Sequence, residues 1–282
     1  MPKRAVELVV ISDVHLGTYG CHAKELLTYL KGINPERIIL NGDIIDIWQF
    51  SKRYWPESHM KVIRKLLKFV AEGVPVHYLT GNHDEMLRKF ADFNLGSLHL
   101  ANKLILPIQN EKAWIFHGDI FDITMQHSKW LARLGAIGYD ALILLNSFVN
   151  WCLVKAGRGK MSFSKKIKAS FKDAVKFINS FETTCADLAI EKGYQYVICG
   201  HIHQPEIKDI VTEKGKVTYL NSGDWVENLT ALEYKDGSWS IYRYDVQDAA
   251  MIDLDEGDIL EPENLNDKLN INKLLEILKA DG

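Results

Sequence analysis

The sequence predicts an α/β fold, a layered β-sheet core flanked by helices, with a helical cap inserted into it. Three observations carry this expectation. Five short apolar runs read as buried strands, and each closes in polar residues: "ELVVIS" (7–12), "RIILNG" (37–42), "VHYLTG" (76–81), "AWIFHG" (113–118) and "YVICGH" (196–201). Helical patterns alternate with the first of them, which is the order an α/β core requires. Residues 121–192 then break the rhythm with mostly helical sequence.

Taken in order, "MPKRAVELVVISDVH" opens basic and apolar but has no small-residue cleavage site, so it reads as a first strand rather than a signal peptide. "CHAKELLTYLKG" (21–32) and "HMKVIRKLLKFVAEG" (59–73) follow as helices, each ending in a glycine suited to a helix C-terminus. The insertion runs from "MQHSKWLARLGAIG" through "SFKDAVKFINSFETTCADLAIEKG" and is expected to cap the site. After 206, "VTYLNSG", "LTALEYKDG" and "WSIYRYDV" alternate like antiparallel strands, with "KDG" as the turn between the last two. The expected organisation is a domain over 1–245 that includes the 121–192 cap, then an acidic extension over 246–282 ending in "NINKLLEILKADG", which patterns as a short docking helix.

The chain has 282 residues, 47% of them hydrophobic, enough for one large domain with an insertion. Its formal net charge is -3, without the basic excess of a polyanion-binding protein, so no nucleic-acid partner is expected. Cys21, Cys152, Cys185 and Cys199 form no CxxC, which suits a reducing compartment. "AIGYDALILLNSFVNWCLV" (136–154) is long enough to span a bilayer, but Asp140, Asn146 and Asn150 recur along it. It reads as a buried or surface-lying apolar helix.

The polar strand ends are "SDVHLG", "NGDIID", "GNHDE", "FHGD" and "GHIHQP". They supply Asp13, His15, Asp43, Asn82, His117, His201 and His203. Carboxylate can bridge two cations, imidazole suits zinc, iron and manganese, and an amide oxygen adds a neutral ligand. Each motif alone is a common structural pattern. Five of them ending five strands of one sheet, where ligands of α/β sheets gather, predict a dinuclear metal site. On an extended strand Asp13 and His15 would face the same way and grip one ion, and His201 and His203 would present two rings along one edge. His22, His59, His77, His99 and His127 lack such partners and read as surface or packing residues.

The order D-x-H, G-D, G-N-H-D, H, G-H-x-H resembles the calcineurin-like metallophosphoesterases, and every signature position is filled within residues 7–224. The resemblance implies the metallophosphoesterase fold, with Asp13, His15 and His203 on one ion and Asn82, His117 and His201 on the other. It implies that Asp43 bridges them, and that His83, oriented by Asp84, stabilises the transition state or protonates the leaving group. Asp46 would support the bridge, and Asp119 and Asp122 are weighed between the same role and loop or cap aspartates. Two such ions clamp a phosphate and lower the pKa of a shared water.

The cap bears on the substrate. Residues 155–176, "KAGRGKMSFSKKIKASFKDAVK", hold seven lysines and one arginine against one aspartate. This reads either as a solvated basic helix or as a cation patch for a second phosphate or nucleotide. Arg158, Ser162, Ser164, Lys165 and Lys168 are the candidate contacts there. Beside it, Leu142, Leu145, Phe148 and Trp151 would either pack on the core or hold acyl chains. Trp48, Phe50 and Trp55 follow "GDIID" and could flank a ring or a chain.

Within the superfamily the chain resembles the UDP-2,3-diacylglucosamine pyrophosphatases, through the cap and into "NSGDWVENLTALEY" (221–234). That resemblance implies hydrolysis of a nucleotide-linked lipid to UMP and a lipid phosphate, as in lipid A synthesis. It implies two divalent ions, manganese first and iron or zinc as alternatives. It also implies a cytoplasmic location, with peripheral membrane contact through the cap. The best-defined branch carries arginine after the ligand asparagine, where this chain has His83. A phosphodiesterase acting on another small nucleotide or phospholipid head group therefore stays open, as does a metal-binding interaction scaffold. Oligomeric state is not readable from the sequence.

Overall fold

The computed structural model describes residues 3–48, 54–121 and 164–245, with side chains described from residue 177 onward in the last span. These residues fall into two compact units: those within Met1–Asp119 and Ala186–Gly282, and those within Ile120–Cys185. The acidic extension, the apolar segment 136–154 and most of the expected cap lie outside the described residues. Among the described residues no helix is long and apolar enough to cross a membrane.

The chain opens with β1 (Arg4–Ile11), α1 (Ala23–Gly32), β2 (Ile33–Asn41), α2 (Glu57–Ala71) and β3 (Val76–Leu79). A 3₁₀ turn (Glu85–Phe90) leads into β4 (Asn94–Leu95), β5 (Leu98–Ala101), β6 (Leu104–Ile108) and β7 (Glu111–Ile115). After α3 (Ser164–Glu191) come β8 (Tyr196–Cys199), β9 (Glu206–Thr212), β10 (Gly215–Asn221), β11 (Thr230–Lys235) and β12 (Ser238–Arg243).

The strands form two sheets, not the single sheet the polar strand ends suggested. One runs β12-β11-β1-β2-β3-β5-β4 and the other β6-β7-β8-β10-β9. The reason is side-chain alternation on doubly buried strands. Val9 and Ile11 of β1 and Ile38 and Leu40 of β2 face α1 and α2, against Leu26, Leu30, Val62 and Phe69. Leu8, Val10 and Ile39 face the opposite way, onto Ala113 and Ile115 of β7, Ile198 of β8 and Leu220 of β10. Residues 8–11, "LVVI", are apolar without a break because one face meets helices and the other meets a second sheet.

Both long helices end in matched capping bonds. At α2, Gly73 N–H donates to Val70 O and Val74 N–H to Phe69 O. At α3, Gly193 and Tyr194 repeat the pattern on Ile190 and Ala189. These are paired 6→1 and 5→2 closures around a glycine. Gly32 does not act this way: it is the last residue of α1, and Ile33 follows directly in extended conformation. The "KDG" turn is a two-residue hairpin with Asp236 at φ 50° and Gly237 at φ 79°, the mirror-image geometry that matches strand twist.

Candidate metal centre

The donors sit just past their strands, not on them. β1 ends at Ile11 and β8 at Cys199. Asp13, His15, Asp43, His201 and His203 all hold left-handed torsions, with φ of 52°, 53°, 54°, 67° and 54°. The expected alternation along an extended strand therefore does not position them. Main-chain bonds do: Asp13 N–H donates to Gly42 O and His15 N–H to Asp43 O, lacing the loop after β1 to the loop after β2. Gly200 N–H donates to His117 O, which laces the loops after β7 and β8.

Side-chain donors then gather into overlapping groups: Asp13 with His15 and His203, Asp43 with His117 and His201, and His15 with Asp43 and His83. In each group the ligand atoms lie within 4.8 Å of one another. His203 and His201 belong to different groups. Asp43 joins the groups: its Oδ2 is 3.2 Å from His117 Nε2 and 4.0 Å from His15 Nε2. Asp13 Oδ1 is 3.1 Å from His203 Nε2 and 4.0 Å from His117 Nε2.

The surroundings orient these groups. His117 Nδ1 lies 2.9 Å from Asn41 O, which leaves Nε2 aimed at the carboxylates. Asp13 Oδ2 accepts from His201 N–H at 3.0 Å, and Asp43 Oδ1 from His83 N–H at 2.8 Å. Two glycines of the motifs permit the crowding. A Cβ on Gly81 would collide with Asp43 Oδ1, and one on Gly200 with Asp13 Oδ2. The sequence reading passed over these glycines, although each stands immediately before a donor.

Asp84 does not touch the His83 ring as expected. Its carboxylate accepts from Gly81 N–H (2.6 Å), Ile44 N–H (3.0 Å) and Tyr78 Oη–H (2.6 Å). It thus ties together the loops that carry Asn82 and Asp43. The partner of His83 is Asp46, with Oδ2 at 3.0 Å from Nδ1. The same oxygen is 3.7 Å from His15 Nδ1. Asp119 pairs with Arg88. Asp224 holds its own loop, with Oδ1 accepting from the N–H groups of Val226, Glu227 and Asn228. Trp48 stands exposed in the turn beyond Asp46. Ser164, Lys165 and Lys168 lie on α3, where only the backbone is described, and Phe50, Asp122, His127, Arg158 and Ser162 lie outside the described residues.

The electrostatics call for positive charge. Burial alone would raise Asp13, but the charges of His203 and His117 and the hydrogen bond from His203 bring it down to about 2. Burial opposes Asp43 too, and the charge and hydrogen bond of His117, with His15 and His83, hold it below the usual carboxylate range. In return Asp13 overcomes the burial of His203 and lifts it to about 9. Asp43 and Asp13 hold His117 well above its ordinary value, again against burial. His83 is raised chiefly by its bond to Asp46.

Divalent ions fit this donor set. Asn82 Oδ1 is a buried atom without a hydrogen-bond partner. Such a group is costly unless an ion or water satisfies it. Two acceptor clusters of mixed nitrogen and oxygen, joined by a carboxylate, make a candidate dimetal site.

The family model of the calcineurin-like phosphoesterases matches residues 6–205. The UDP-2,3-diacylglucosamine hydrolase of Aliivibrio fischeri is 23% identical over 248 residues, spanning 84% of this chain and 98% of its own. A DNA double-strand break repair protein of Methanococcus maripaludis is 24% identical over 298 residues, spanning 97% of this chain and 74% of its own. Among solved structures, a phosphoesterase from E. coli aligns at a TM-score of 0.41 and 12% identity, covering 84% of this chain and 99% of that one. The family match extends over every donor from Asp13 to His203, and the chain therefore belongs to the calcineurin-like phosphoesterases, as a metal-dependent hydrolase with two candidate metal-binding clusters.

Proposed function

We propose that the protein hydrolyses the pyrophosphate bond of UDP-2,3-diacylglucosamine or a similar nucleotide-linked lipid, giving UMP and a lipid phosphate. The observation that carries the chemistry is the pair of donor clusters on either side of Asp43. The substrate rests on relatives named UDP-2,3-diacylglucosamine hydrolase, two of which match along 98% and 88% of their own lengths.

In this reading Asp13, His15 and His203 hold one ion, Asn82, His117 and His201 hold the other, and Asp43 serves both. Manganese is the expected metal, with iron or zinc as alternatives. A divalent pair there would supply charge to the phosphoryl oxygens and lower the pKa of an attacking water. His83 is the proton donor to the leaving oxygen. Its bond to Asp46 supports this role, because that bond favours the protonated ring to higher pH. A pyrophosphate has a good leaving group, so the demand on His83 is modest for this substrate. Trp48, Arg158, Ser162, Ser164, Lys165 and Lys168 are proposed to contact the nucleotide or the lipid. A UDP-linked lipid substrate would set the work in the cytoplasm, on the inner face of the membrane.

The relative named as a DNA double-strand break repair protein, aligned over 97% of this chain, supports a second reading in which the same metal centre cleaves DNA, as a nuclease. One experiment separates the two. UDP-2,3-diacylglucosamine, bis(p-nitrophenyl) phosphate and DNA are each incubated with the protein and Mn2+, Zn2+ or Fe2+. UMP release in preference to the other two reactions is the expected outcome. DNA cleavage without UMP release would replace the lipid reading with the nuclease.

A further inference from the structure

We infer that His59 is a positioning residue for the metal centre: its ring holds, through the main-chain N–H of Gly17, the turn that presents His15. The inference rests on the two-ion reading of the site and adds to it a residue outside every donor motif.

His59 lies in the first turns of α2 and is only 2% exposed. Its Nδ1 accepts the Gly17 N–H at 2.9 Å, across 42 residues of sequence. Accepting an amide proton there requires Nδ1 to be bare. Burial lowers the pKa of the ring and so favours the neutral form that can accept. Tyr54 and Trp55 stand edge-on to the ring, with centroids at 5.8 and 5.6 Å, and fix its orientation.

The turn it holds is strained and functional. His15 sits at φ 53° and Gly17 at φ 103°. On one side, His15 N–H is held by Asp43 O and Leu16 N–H by Ile44 O. Thr18 closes the turn by donating its N–H and its hydroxyl to His15 O. Gly17 N–H is the remaining main-chain donor of the turn, and His59 takes it. Trp55 packs against Gly17 closely enough that a Cβ there would lie 3.3 Å from Trp55 Cζ3. A left-handed donor residue persists only where its surroundings over-determine it. His59 completes that determination from the helix side.

The test uses the full chain and Zn2+ alone, with binding followed by calorimetry and metal content. His59→Phe fills the space without an acceptor, and His59→Asn restores an acceptor at the Nδ1 position. The expected result is loss of about 10–100-fold in affinity for one of two ions in His59→Phe, with the other affinity and that of His59→Asn near wild type. Equal binding by wild type and His59→Phe, or equal losses in both variants, would overturn the inference. Should His59→Phe fail to fold, nitrogen NMR of the wild-type ring decides: a bare Nδ1 is expected, and a protonated Nδ1 sinks the proposal. Wild-type protein that binds no ion would instead sink the two-ion reading itself.

Discussion

Asp46 is the residue whose part in the site is clearest only after folding. The sequence placed it near the bridge and gave His83 to Asp84, its neighbour. The structure pairs His83 with Asp46 at 3.0 Å and spends Asp84 on two backbone N–H groups and Tyr78. Neighbours in sequence point apart here because each serves a different loop. Two outcomes follow at this scale. His83→Gln should keep two bound ions but lower kcat by about 10²–10⁴-fold on a substrate with a poor leaving group. On bis(p-nitrophenyl) phosphate, whose leaving group needs no proton, the loss should be much smaller. Asp46→Asn removes the main cause that raises His83, so the ring should lose its proton at lower pH. The basic limb of the kcat–pH profile should then move to lower pH, and an unmoved limb would remove His83 from the proton step.

At the scale of elements, β1–β3, β7, β8, β10–β12, the helices and the caps were legible because they follow local rules, while β4, β5, β6 and β9 went unread. Apolar runs bounded by polar ends, glycines after helices and the "KDG" hairpin each depend on a few adjacent residues. The exception is α1, where Gly32 stays helical and β2 starts at Ile33. The donor loops were less legible. Their left-handed torsions depend on bonds between loops, such as Asp13 N–H to Gly42 O, that no local pattern encodes. Two glycine substitutions separate these roles. Gly81→Ala should abolish two-ion binding, because its Cβ meets the Asp43 carboxylate, while far-UV circular dichroism stays native. Gly73→Ala meets no atom within 4 Å but sits at φ 87°, so it should cost about 1 kcal/mol of stability with unchanged metal affinity.

At the scale of the whole molecule, the centre is a junction between two sheets. Asp13, Asp43 and Asn82 follow β1, β2 and β3 of one sheet, and His117 and the His201–His203 pair follow β7 and β8 of the other. The apolar layer between the sheets therefore sets the spacing of the clusters. Leu220→Ala in that layer should cost about 2–5 kcal/mol in thermal or denaturant unfolding. It should also weaken ion binding although Leu220 is no donor; unchanged affinity would show that the loops alone hold the geometry. The titrations give a further signature. In metal-free protein His203 is raised from 6.5 to about 9, so its stabilising contribution is complete below 6.5 and lost as pH rises through about 9. Asp13, lowered from 3.8 to about 2, contributes above 3.8 and fails as pH falls through about 2. Melting temperature of metal-free protein should thus fall between pH 6.5 and 9, and saturating Mn2+ should flatten that slope, since imidazole ligates as the neutral ring. By itself the sequence determined the α/β class, the chain order of the donor-bearing strand ends, and which residue types stand there, because these follow from hydrophobic period and motif spacing. Only the tertiary structure decided that the donors come from two sheets, that His83 pairs with Asp46 rather than Asp84, and that His59 stands behind the turn of His15. Those outcomes depend on contacts between residues tens of positions apart, which form only when the two sheets close on their shared apolar layer.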